Sequence, residues 1–399
     1  MSEWEKKKLS NYIKIKHGFA FPGSGITNEK SENVLVTPGN FNYGGGFKSE
    51  KFKYFNGIVP AEYIFRGGEI IVTMTDLSQE TDTLGLSAKV PINENKNYLH
   101  NQRVGLVNFL NQEIYPDYCY WLMRTKEYQE SIVNSASGTS IMHTSPDRIA
   151  SYEASIPPLK EQQAIAEVLT SLDDKIDLLH RNNKTLEEMA ETLFRQWFVE
   201  GAKEDWEVRR LDDICTHVKK SVNPKKEGSA LFFHYSLPAF DNGKRPEHTE
   251  ANTILSNKYQ IQEDDILISK LNPRTPRVWL VGKTPNNSIC STEFQVYRAK
   301  ENYFKAFSYC YLRTQQVTDT LGGAASGTSG SHQRVNPEDI SALEFMLPSS
   351  TLLQRFQSIV NPAFDKIQLN HQTILNLETT RNSLLPKLMS GQVRVNKSA

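Results

Sequence analysis

An apolar seam runs through residues 158 to 201 and returns, degraded, through residues 348 to 391. In the first copy Ile165, Leu169, Leu172, Ile176, Leu179, Asn183, Leu186, Ala190, Leu193 and Trp197 follow one another in steps of four and three, and only Asn183 is polar. Such spacing keeps a single stripe on one side of an α-helix of about eleven turns, the seam that a coiled coil needs. Shifting by about 191 positions gives Phe356, Val360, Ala363, Ile367, Asn370, Ile374, Leu377, Arg381, Leu384 and Leu388, with Asn370 and Arg381 as the polar members. Two helices of matched length, each with an unsatisfied seam, most simply pack on each other. Heptad stripes usually mean packing alone, so it is the duplication that makes this one informative.

The flanks carry start and stop signals. Pro157 and Pro158 precede the first helix, and Pro348 with Ser349, Ser350 and Thr351 precedes the second. Gly201 and Gly391 stand where a C-terminal glycine cap belongs. Pro362 removes a backbone donor, which predicts a second helix regular only from Asn361. From Lys160 to Phe198 the first helix is a spacer of roughly 58 Å. Phe194, Trp197 and Phe198 cluster at its end as core or as a partner surface, with core preferred.

Residues 1–155 and 202–347 read as globular segments of one plan, and 156–201 and 348–399 as the helices that follow them. Trp4 with Leu9 is echoed by Trp206 with Leu211, and the strand around Gly68–Thr73 by Asp264–Ser269. A further strand is predicted at Arg103–Val107 and a helix at Asp117–Ile132. Tyr118-Cys119-Tyr120 with Arg124-Thr125 returns as Tyr309-Cys310-Tyr311 with Arg313-Thr314. Ser137-Gly138-Thr139-Ser140 returns as Ser326-Gly327-Thr328-Ser329, and Pro146-Asp147-Arg148-Ile149 as Pro337-Glu338-Asp339-Ile340. The fold class is therefore α+β: two mixed α/β domains joined by a long two-helix coiled coil, with an internal duplication. A period of about 190 residues is too long for a solenoid. Landmarks at the segment ends agree while the middles diverge, as expected if each copy performs one task on a different target.

Composition narrows the class only slightly. Lys plus Arg and Asp plus Glu number 46 each among 399 residues, so bulk charge makes no case for a nucleic-acid or membrane partner. Cys119, Cys215, Cys290 and Cys310 are far apart with no Cys-x-x-Cys pair, which suggests neither a disulfide framework nor zinc and points to reducing cytoplasm. The first residues lack a signal peptide's apolar core, and no stretch approaches twenty apolar residues; a soluble cytoplasmic protein is expected.

Candidate binding residues lie at predicted strand ends. Ser269, Lys270, Asn272, Arg274 and Arg277 form a basic, proline-held loop suited to phosphate and base-edge contacts, with a solvated surface loop as the equal alternative. Lys219 and Lys220 are a second patch that plain solubility also explains. The corresponding first-segment loop offers Thr73, Thr75 and Gln79, polar groups able to read bases but without positive charge. Lys48 and Lys51 lie between aromatics, a pattern at least as common in a half-buried strand. Ser137, Thr139 and His143, and likewise Ser326, Thr328, His332, Gln333 and Arg334, place small donors before longer ones; a helix-to-strand connection is the plainer reading.

Catalytic patterns fail. Asn361-Pro362-Ala363-Phe364 resembles an adenine methyltransferase strand end, yet Ala363 is a seam residue and no glycine loop for a methyl donor accompanies it. Gly282-Lys283-Thr284 has Arg277 where a phosphate loop needs its first glycine. No metal-ligand spacing exists among the nine histidines.

Several runs then resemble the specificity subunits of type I restriction-modification enzymes. They are Ile156-Pro157-Pro158-Leu159-Lys160-Glu161-Gln162-Gln163-Ala164-Ile165-Ala166, Leu172-Asp173-Asp174-Lys175-Ile176, Phe364-Asp365-Lys366-Ile367 and the closing Leu384-Leu385-Pro386-Lys387-Leu388-Met389-Ser390-Gly391. Leu347–Gln354, at the start of the second helix, departs from that pattern. The resemblance implies a bacterial-defence DNA-binding subunit in which an antiparallel coiled coil carries two target-recognition domains. Each would read half of a bipartite duplex site, and the coil would fix the gap. It implies no catalysis in this chain. Two methyltransferase subunits would bring S-adenosylmethionine and flip the target adenine, and two restriction subunits would bring ATP and Mg. The competing reading is a non-catalytic coiled-coil adaptor whose domains bind protein or carbohydrate. Methyl transfer by this chain alone would argue for a third, an enzyme.

Overall fold

The computed structural model describes residues 4–49, 51–76, 78, 81–138, 141–326 and 333–395. The chain forms two compact units, Met1–Ile176 with Asn376–Ala399, and Asp177–Leu375. Each unit combines one globular module with a length of both long helices.

In the first module an antiparallel sheet is ordered Ile13–His17, Val104–Phe109, Ile70–Thr73, Ser87–Lys89. Its third strand is buried on both faces, which explains the unbroken apolar run in the sequence. Ile70 and Val72 face a core shared with Tyr118, Trp121 and Leu169 of the helices. Ile71 faces the opposite way, into a second core with Val34 and Tyr98. Beneath lies a second sheet, ordered Ile26–Thr27, Lys53–Phe55, Asn33–Val36, Asn97–His100, whose last two strands run parallel.

The second module repeats this topology. Cys215–Val218, Phe294–Ala299, Ile266–Ser269 and Val278–Leu280 form the antiparallel sheet in the same relative order. Ile266 and Ile268 face the helices while Leu267 faces the second sheet. That sheet again contains one parallel pair, Leu231–Tyr235 with Ser288–Cys290. In each module a short antiparallel pair ties the two ends together, Glu5–Lys8 with Glu153–Ile156 and Glu207–Arg210 with Glu344–Leu347.

The first long helix spans Leu159–Phe194 and continues as a wider π turn over Arg195–Glu200; the second spans Ser350–Met389. Within the first unit they run antiparallel: Arg394 reaches Glu161 at 2.6 Å, and Arg381 pairs with Asp173. Ile165, Leu169 and Leu388 are buried there, with Leu384 half-buried against them. Ile176 is buried too, and Leu172 and Leu377 are half-buried. Within the second unit Asn370 donates from Nδ2 to Asn183 Oδ1 at 2.7 Å. The seam's two aligned polar residues thus meet each other, the arrangement that sets register at some cost in stability. Leu179, Val360, Ile367 and Ile374 are buried, and Leu186 and Leu193 half-buried. Phe194 and Phe198 pack on Phe356, which settles the aromatic cluster as core.

Three expectations change. Pro362 sits inside a continuous helix, because Val360, Ala363 and Phe364 around it are all buried, and that packing outweighs one missing backbone bond. The helix expected at 117–132 is two, Pro116–Leu122 and Lys126–Ser135, broken where Thr125 caps the second through Tyr128 N. Gly391 is a left-handed cap at φ +71°, but Gly201 is not; there a Cβ would lie 2.8 Å from the Gln196 carbonyl, so close approach requires the glycine.

Candidate nucleic-acid interface

Both modules are built to hold a loop at one end of the helix-facing sheet. In the first, strand Ile70–Thr73 leads into Thr75–Asp76, which pairs with Met142–His143. Ser137 and His143 exchange backbone hydrogen bonds of 3.0 and 2.8 Å, closing the loop between them. Arg148 Nη1 donates to Ser137 Oγ at 3.2 Å and braces it. Gln102 and Arg103 are exposed beside this group, and the Arg103 carbonyl accepts from Met74 N.

Thr73 does not read anything from this position. It is 0% exposed, and its Oγ1 donates to the Thr75 carbonyl at 2.9 Å. Thr75 is 3% exposed and hydrogen-bonds His143 Nδ1 at 3.1 Å, so it orients the histidine rather than facing a ligand. His143 and Ser137 are exposed. Gln79 and Thr139 lie outside the described residues. Asp76 is buried and spent locally: it accepts from Ser78 N, Thr83 N and Thr83 Oγ1, each at 2.7 Å. Burial pushes its carboxyl up, but these donors outweigh that and hold it below the usual aspartate value. Lys48 is half-buried beside Asn40 and Lys51 is exposed at φ +52°. On either side of them Phe47 and Phe52 pack on Tyr98, so the aromatic alternation there is a half-buried surface.

In the second module the same backbone recurs with other side chains. Ser269 is buried, and its Oγ bonds to Leu271, donating to the carbonyl at 2.9 Å; like Thr73 it shapes the strand end and contacts nothing outside. Met74 N to Arg103 O becomes Lys270 N to Glu293 O, and the Ser137–His143 bridge becomes Ser326–Arg334. Asn272 takes a left-handed conformation at φ +53° and donates from its backbone to Gln333 O. Arg274 is exposed and Lys270 half-buried. Arg277 is not a free cation: Asp241 holds it through two bonds of 2.8 and 2.9 Å, and its side chain is largely covered. Lys219 and Lys220 are exposed and leave the sheet at the end where Ser269 does, because Val218 pairs with Val296 and Ser269 with Phe294. Arg334 is exposed and paired with Glu293. Thr328 and His332 lie outside the described residues.

Behind each loop an arginine locks the module to its helix. Arg124 bonds Asp173 at 2.7 Å and Tyr120 at 2.6 Å. Arg313 bonds Glu191 at 2.5 Å, Glu187 at 3.2 Å and Tyr309 at 3.0 Å, while Lys244 also reaches Glu187 at 2.6 Å. Sequence reasoning missed Arg103, Arg148, Asp76 and Glu293 as site residues. Arg148 stood inside a repeated landmark and Arg103 at the start of a predicted strand, and both were read as scaffolding.

Among the described residues no group of three His, Cys, Asp or Glu is placed to hold a metal ion. The four cysteines are buried, and burial pushes the Cys119 thiol up to about 12 and Cys215 to about 11, far from a reactive thiolate. Among the described residues no helix is long and apolar enough to cross a membrane.

The fold and these loops define a duplicated recognition protein, with two modules of one topology that display different groups from equivalent places. Residues 1–188 and 203–379 match the family model of the type I restriction modification DNA specificity domain. The type I restriction enzyme MjaIX specificity subunit of Methanocaldococcus jannaschii is 26% identical over 404 residues, covering 88% of this chain and 91% of that one. The type I restriction enzyme HindI specificity subunit of Haemophilus influenzae is 23% identical over 385 residues, covering 75% and 82%. The crystal structure of a type I restriction-modification S subunit from M. genitalium shares the fold, with a TM-score of 0.58 at 19% identity over 97% of this chain and 96% of that one. Since the family model covers both modules and most of both helices, this chain belongs to the type I restriction-modification specificity family, and its function is recognition of a DNA target.

Proposed function

We propose that each module reads one half of a bipartite duplex site, that the two helices set the length left unread, and that the chain performs no chemistry itself. The observation that carries this reading is the repeated strand-end loop. One backbone arrangement presents His143, Ser137 and Arg103 in the first module, and Arg334, Ser326 and Glu293 in the second. A scaffold held constant while its head groups change is what two half-sites of different sequence require.

On this reading methylation and cleavage belong to partners. Two methyltransferase subunits would supply S-adenosylmethionine and the flipped adenine's pocket, and two restriction subunits would supply ATP- and Mg-dependent steps. The cytoplasm, where the genome is accessible, is the expected location. Duplex binding by the full chain with its methyltransferase partner, measured across salt, tests the proposal. Phosphate contacts release counterions, so affinity must fall steeply and linearly on a log–log plot. Absence of a slope, with retained binding to protein or carbohydrate, would favour the adaptor alternative.

A further inference from the structure

Arg334 is held more completely than an exposed arginine needs to be. Its backbone N–H and C=O both bond Ser326 at 3.0 Å. Its neighbours are tied to a second segment, Gln333 O to Asn272 N at 2.8 Å and Val335 N to Lys270 O at 3.0 Å. The guanidinium is then fixed by Glu293, Nε to Oε2 and Nη2 to Oε1, both at 3.2 Å. Glu293 itself is anchored, its carbonyl accepting from Lys270 N at 2.9 Å and its N–H donating to Ser291 Oγ at 3.3 Å.

A pair this open does little for stability: the arginine side chain is 47% exposed and the glutamate 28%. Its consequence is orientation. A side chain that would otherwise sample many rotamers is confined, so less entropy is lost when it meets a ligand. Glu293 occupies one edge of the guanidinium fork and leaves the N–H groups of Nη1 and the second hydrogen of Nη2. Those donors match two kinds of acceptor, a phosphate or the O6/N7 pair of guanine. The carboxylate decides between them, since it repels a phosphate and not a neutral base edge.

We propose that Arg334, buttressed by Glu293, is the guanine-reading side chain of the second module. The inference rests on the DNA-reading function above and specifies one contact within it. The first module agrees in kind. At the place of Arg334 it carries His143, likewise fixed from behind, by Thr75 at 3.1 Å, and at the place of Glu293 it carries Arg103. Equivalent places thus bear buttressed polar groups of different readout, as two different half-sites demand.

The test is selection of bound duplexes from a pool with randomised positions, using the full chain as wild type, Arg334→Ala, Arg334→Lys and Glu293→Gln. Unfolding midpoints are checked alongside. Wild type is expected to specify guanine at one position of one half-site. Arg334→Ala should lose about ten- to hundredfold discrimination there and none elsewhere. Glu293→Gln should relax the same position while binding to sequence-neutral DNA stays level or strengthens, because a repelling charge has gone. The proposal is overturned if Arg334→Ala leaves every preference intact, or if Glu293→Gln strengthens all duplexes equally with specificity retained. Wild type that selects no sequence would sink the DNA-reading function itself; wild type that selects normally beside unchanged variants sinks only this assignment.

Discussion

Asp76 is the acid on which the first module's loop turns, and replacing it with Asn isolates what it contributes. Its Oδ1 accepts from Ser78 N, and its Oδ2 accepts from both Thr83 N and Thr83 Oγ1, all at 2.7 Å. Asn can keep one acceptor for Ser78, but its NH2 would then face the Thr83 N–H. Two charge-assisted bonds are lost in a buried place, at about 1.5 kcal/mol or more each, so the expected cost is about 3 kcal/mol. That is a large share of an ordinary domain's stability. The pH dependence has a definite sign. Asp76 titrates below its ordinary value when folded, so its contribution is present in full above the unfolded value and is lost as pH falls through the folded one. Urea unfolding of wild type and D76N should therefore show a gap of about 3 kcal/mol at pH 7 that begins to narrow below about pH 4 and keeps narrowing as pH falls further. In duplex binding the variant should weaken only one half-site. A gap under about 0.5 kcal/mol, or one that persists unchanged into acid, would refute the reasoning.

Other consequences can be checked in the same preparations. Asn370→Leu alone should destabilise by about 1–3 kcal/mol, because Asn183 is left buried with no partner, while leucine at both positions should restore or exceed wild-type stability; thermal unfolding of the four-member cycle decides it. His100 is buried against Phe65, and burial lowers its pKa to about 4. Stability should thus fall between pH 6.5 and 4 as the unfolded chain takes up a proton, and His100→Leu should flatten part of that slope. Seven residues added at matched points of both helices preserve the seam and lengthen it by about 10 Å. Selected duplexes should then show a gap longer by about three base pairs, and an unchanged gap would mean the helices are not the ruler.

The helices were legible because a heptad pattern depends on spacing alone, and all the seam positions from Ile165 to Leu193 and from Val360 to Leu388 are buried or half-buried. The duplication was legible because anchors such as Arg124 and Arg313 recur beside the same aromatics. Pro362 misled because local propensity was set against long-range packing, and packing won. The sites were less legible for a related reason. Polarity marks a residue as capable of contact but not as free for it. Thr73 and Ser269 spend their hydroxyls on the strand end, and Arg277 is claimed by Asp241, thirty-six positions away. Equivalence between His143 and Arg334 could be seen only from the bridges they make, since the second copy carries two more residues between the bridge partners.

The central claim is that two modules of one chain each specify their own short block of duplex. Selecting bound DNA from a fully randomised pool, with wild type and D76N in parallel, tests it most directly. The account predicts two specified blocks separated by an unspecified gap of fixed length, with only one block relaxed in D76N; a single contiguous block, or both relaxing together, would contradict it.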